Sequence, residues 1–67
     1  MSYHIMHVEW VGTNKLIKVM DFKEGQTINF YPYEIETEVK TKEPGLYKYL
    51  KENEEELRKH LENPIKK

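Results

Sequence analysis

Three groups of side chains in this 67-residue sequence have types and spacings that invite chemistry. His4 and His7 form an H-x-x-H pair, which one turn apart on a helix would offer two imidazoles to a metal ion. Glu34, Glu36 and Glu38 alternate along residues 33–40, and paired carboxylates can work as acid and base where their surroundings split their pKa values. Tyr31, Tyr33, Tyr47 and Tyr49 flank that stretch, and tyrosine joins a large apolar body to a polar tip in the way interfaces favour.

The elements that carry these groups decide which chemistry is open to them. Residues 3–11 are rich in aromatic and β-branched side chains and read as a strand, whose even positions (His4, Met6, Val8, Trp10) make the better core face. On a regular strand, residues three apart point to opposite faces, so His4 and His7 are expected not to chelate one ion. With the remote His60 they read as structural or surface histidines, and a histidine-dependent hydrolase is the most distant alternative. Gly12-Thr13-Asn14-Lys15 predicts a hairpin. Residues 16–22, with Leu16, Met20 and Phe22 on one face and Ile17 and Val19 on the other, read as an interior strand. After a turn at 23–26, a strand over 27–31 runs into Pro32, which marks a corner.

Residues 33–40 alternate most cleanly, with Tyr33, Ile35, Thr37 and Val39 inward and the three glutamates and Lys40 on a wet face. The bland reading of that acidic face is a guard against edge pairing; the functional one is a stripe that meets a basic surface on a partner. Pro44 opens a helix over 44–62 with Leu46, Leu50, Leu57 and Leu61 in one stripe, Asn53 at its rim, and Asn63-Pro64 as its stop before a tail over 63–67. The expectation is one small α+β domain over 1–67: a four-stranded antiparallel sheet, or half-open SH3-like barrel, covered by one C-terminal helix.

Composition narrows the function classes. With no cysteine, thiolate metal sites and cysteine nucleophiles are excluded. Eleven basic residues against twelve acidic ones give a net charge of −1, and ten of the eleven are lysine, which argues against nucleic-acid readout led by arginine. No phosphate loop, Gly-x-Gly-x-x-Gly or EF-hand spacing occurs, and no cofactor is implied. No apolar run approaches the length of a membrane helix and no signal-peptide pattern opens the sequence, so a cytoplasmic location is expected.

The sequence therefore favours a non-enzymatic protein-binding module, of the small accessory or inhibitor kind encoded by phages and mobile elements. It would dock through Glu34, Glu36 and Glu38 with Tyr31 and Tyr49 beside them, on a protein partner the sequence does not name. A core this small, with an exposed strand edge, also favours a homodimer. The alternative is single-stranded nucleic-acid binding by an aromatic strand face, with Tyr3, Trp10, Lys15, Lys18 and Lys23 as its residues.

Overall fold

A computed structural model describes residues 2–66. Three antiparallel strands, β1 (Tyr3–Val11), β2 (Asn14–Asp21) and β3 (Gln26–Phe30), form one sheet in the order β1-β2-β3, with β2 in the centre as its two apolar faces require. The β1–β2 turn depends on Gly12 at φ 63°, a left-handed conformation that costs a residue with a Cβ. At the other end of β2, the buried Asp21 carboxylate accepts the backbone N–H groups of Lys23 (3.0 Å) and Glu24 (3.2 Å) and so shapes the turn into β3.

The chain then leaves the sheet. Residues 33–40, expected as a fourth strand, instead coil through a 3-10 turn (Pro32–Glu34), a π-helical turn (Ile35–Val39) and a last α-helical turn, α1 (Lys40–Lys42). Among the described residues the sheet has three strands and is open. Two physical reasons favour the helical outcome. Pro32 has its φ preset for a helix start, and Glu34 closes the turn by accepting the Tyr31 N–H at 2.8 Å while its own N–H donates to the Tyr31 carbonyl. Ile35 and Val39, four apart, then both reach the core, which a coil of this kind allows as readily as alternate positions on a strand.

The expected single helix over 44–62 is two: α2 (Pro44–Glu52) and α3 (Glu54–Glu62). Asn53 divides them. At φ −127° and ψ 37° it is not helical, and its side-chain amide donates to the Tyr49 carbonyl at 2.8 Å, taking up a terminal acceptor of α2. The leucine stripe survives the bend, with Leu46, Leu50 and Leu57 buried on the sheet and Leu61 packed at the margin.

In β1 the pairing runs Ile5↔Val19 and then His7↔Lys18, so Met6 is an extra residue in a β-bulge. The bulge shifts the core face by one: Ile5 and Val8, three apart, both lie under the helices at 1% exposure, and Met6 is left 40% exposed. The expected core face of even residues therefore holds only beyond the bulge. His4 (opposite Met20) and His7 (opposite Lys18) consequently share the helix-free face, contrary to the alternation of a regular strand. The last described residues return to the sheet: the Ile65 N–H donates to the Val8 carbonyl (2.7 Å) and the Trp10 N–H to the Ile65 carbonyl (3.2 Å), a one-residue parallel bridge on the β1 edge.

Candidate binding cleft

The hairpin places Trp10 directly opposite Lys15. The Lys15 ammonium lies 5.3 Å from the centre of the Trp10 ring and donates to the Leu61 carbonyl at 2.9 Å, so the cation is held between an aromatic face and the end of α3. Pairing of Ile17 with Phe30 brings the end of β3 beside the hairpin, and the chain turns there through Tyr31-Pro32-Tyr33. The Tyr31 and Tyr33 rings are stacked, with centroids 5.5 Å apart and planes within 3°. Tyr33 was expected in the core; with Pro32 starting a helical turn it points outward and is 70% exposed.

Between these two walls lies an open cleft of about 320 Å³, lined by Trp10, Lys15, Tyr31, Pro32 and Tyr33, with Thr13 and Asn14 at the hairpin tip. Its surfaces are aromatic, and apart from the Lys15 ammonium its polar groups are neutral donors and acceptors. It is a place to hold a flat or ring-bearing group against aromatic faces, with side-chain N–H and O–H groups near enough to satisfy a backbone.

The acidic docking stripe does not form. Once residues 33–40 coil, Glu34 caps its own turn, Glu36 accepts from the Tyr47 hydroxyl (2.8 Å) and pairs with Lys51 (2.7 Å), and Glu38 pairs with Lys42 (2.8 Å). The three carboxylates thus face three different partners inside the chain. The Lys51 ammonium and then the Tyr47 hydroxyl hold the Glu36 carboxyl below its ordinary value, and the same carboxylate raises the Tyr47 phenol. Tyr49 also leaves the expected surface: it is buried, 5.7 Å from the Tyr3 ring, and its phenol is pushed up by that burial. Of the residues assigned to protein docking, Tyr31 alone lines the cleft.

The nucleic-acid set is scattered too. Trp10 and Lys15 are together in the cleft, but Tyr3 packs on Tyr49 at the opposite end of β1, Lys23 sits in the β2–β3 turn, and Lys18 is paired with Glu9 at 3.2 Å on the helix-free face. A span of seven residues along β1 separates Tyr3 from Trp10 by roughly 23 Å, too far for one stacking platform. His7 reaches the Glu9 carboxylate at 3.0 Å, and His60 lies 4.0 Å from Glu56. Among the described residues no three His, Asp or Glu side chains are grouped to hold a metal ion.

Pro32, Thr13 and Asn14 are not among the candidates from sequence, and Tyr33, one of the four tyrosines singled out there, is read as core and not as a site residue. The available signal was the Tyr-Pro-Tyr triplet, in which a proline between two tyrosines cannot continue a central strand and so must turn two aromatic rings out of the sheet. Comparison of the chain with protein-family models, with curated proteins and with solved structures found no match in any of the three.

Proposed function

We propose that this chain is a non-enzymatic binding module that docks on a partner protein by taking an extended, proline-containing segment of it between Trp10 and the Tyr31-Pro32-Tyr33 corner. The observation that carries the reading is the parallel tyrosine stack facing a tryptophan across an open cleft, with Tyr33 left 70% exposed. A polyproline II segment is ordered before it binds, presents its rings to aromatic surfaces and leaves its carbonyls in need of donors. The Trp10 indole, the Tyr31 and Tyr33 hydroxyls and the Asn14 amide are donors of that kind. An accessory or inhibitory role in the cytoplasm, exercised by occupying a partner's segment, is part of the proposal. Among the described residues no helix is long and apolar enough to cross a membrane.

The test is amide chemical-shift mapping with a decaproline peptide and a small set of Pro-x-x-Pro peptides, and with oligothymidine at low salt for comparison. Shifts confined to residues 10–15 and 31–33 on peptide addition, weakened at least tenfold by Tyr33→Ala, support the reading. Peptides that leave those amides unmoved overturn it, and oligothymidine binding there with a steep salt dependence would transfer the cleft to single-stranded nucleic acid.

A further inference from the structure

The helices cover one face of the sheet only. On the other lie Met6, Val11, Leu16, Met20 and, one residue past β2, Phe22, with the polar His4, Lys18, Thr27 and Asn29 set between them. Of these, Met6, Val11 and Phe22 are 40%, 41% and 63% exposed, while the equivalent row beneath the helices is buried. On the β1 side of this face sits Glu9, 5% exposed as a residue, with Lys18 at 3.2 Å and His7 at 3.0 Å from the same carboxylate oxygen. Its charge is thus already withdrawn from water and answered within the chain.

We propose that this face pairs with the same face of a second copy, sheet on sheet, in a two-fold dimer whose helices lie outermost. Three features single out a second copy as the occupant. The first is area. With strands about 4.8 Å apart and a rise of about 3.3 Å per residue, the three strands present a face of about 14 by 25 Å; side-chain relief brings this to about 600 Å² per copy, or about 1,200 Å² for a pair, the lower end of stable specific interfaces.

The second feature is charge. The two opposite charges of this face, Glu9 and Lys18, already answer one another, so covering them adds little desolvation cost, whereas a strongly charged partner would find no complementary field. The third is that the edges are less open than the face. The Val8–Trp10 part of the β1 edge already holds Ile65, and β3 is only five residues long. Two sheets stacked about 10 Å apart would give each copy a second core layer, which a 67-residue chain lacks alone.

Sedimentation velocity on the full chain from 1 to 500 µM decides the matter. The expected result is a reversible species of twice the 8.2 kDa chain mass, whose fraction rises with concentration. Phe22→Glu and Val11→Glu, at opposite ends of the face, should each weaken association at least a hundredfold while leaving the far-UV circular dichroism unchanged. If one variant fails to fold, the other is read alone. Tyr33→Ala, which alters the cleft and not this face, should dimerise as the wild type does, so the dimer can stand or fall independently of peptide binding. A wild type that stays monomeric at 500 µM overturns the proposal, whether or not the face binds something else. A dimer that survives both glutamate variants overturns it as well.

Discussion

Deleting Met6 should leave the fold standing, whereas deleting Val8, two residues away, should not. Because Met6 is the extra residue of the bulge, its removal leaves every other pair of β1 with its partner: Ile5 stays opposite Val19, His7 opposite Lys18 and Val8 opposite Ile17. Met6 is 40% exposed, so its loss forfeits only part of a methionine's burial, about 1 kcal/mol. One residue fewer to order returns about 1–2 kcal/mol, so the net change lies within about 1 kcal/mol of zero. Removing Val8 forces a choice, and the mildest rearrangement flattens the bulge and sets His7 opposite Ile17. That loses the full burial of a valine, at least about 1.5 kcal/mol, and places an imidazole in an apolar row at a further cost of about 1–3 kcal/mol.

A chain of this length has roughly 3–10 kcal/mol of total stability, so the second deletion consumes much or all of it. Urea titration followed by far-UV circular dichroism at low micromolar protein reads both. With a slope of about 1 kcal/mol per molar urea, the Met6 deletion should move the midpoint by less than about 1 M and the Val8 deletion by about 3 M or to no folded baseline. Equal damage from the two deletions would refute the bulge and the assignment of faces built on it.

Other outcomes follow from single contacts. Asp21→Ala leaves the Lys23 and Glu24 amides without their acceptor and should cost about 1–3 kcal/mol, read as a fall in Tm of about 4–8 °C per kcal/mol; Asp21→Asn, which keeps an oxygen in place, should recover at least half. A Cβ on Gly45 would lie 3.0 Å from the Tyr3 hydroxyl, so Gly45→Ala should stabilise α2 by about 0.5–1 kcal/mol only when combined with Tyr3→Phe, and less by itself; strict additivity in a thermal double-mutant cycle would contradict the contact. Because the Glu36 carboxyl is held below its ordinary value, its contribution is complete above the ordinary glutamate range and is lost as pH falls through the lower folded value. The gap in urea midpoint between wild type and Glu36→Gln should accordingly be widest at pH 7 and close as the pH falls below the ordinary glutamate range; a gap that widens in acid would reverse the assignment.

The sequence made some of this fold legible and hid the rest for definable reasons. The turns after β1 and β2 were readable because Gly12 and Gly25, both at positive φ, sit inside polar stretches between apolar runs. The leucine stripe was readable because each apolar member recurs at helical spacing. Residues 33–40 were misread because a helical i, i+4 pair, Ile35 and Val39, lies within an alternating pattern; good helix formers at 34, 36, 38 and 40 were the contrary signal. The bulge was invisible because β1 carries apolar side chains in both parities, so no pattern exposes a one-residue slip. The docking residues went astray with the 33–40 strand. The cleft unites residues 10–15 with 31–33, and nothing local in either segment announces the other; the pairing of Ile17 with Phe30 joins them.

The return of Ile65 to β1 has one more consequence. Trp10 is the single tryptophan, its amide is tied to Ile65, and its ring shares Lys15 with the end of α3. Its fluorescence is therefore a built-in reporter of whether the carboxyl-terminal segment is seated. Any tag or fusion joined there should be judged first by that emission, since unseating the segment would release the Trp10 amide, and loosening the end of α3 would free the ammonium over the indole, changing its light before a single strand had come apart.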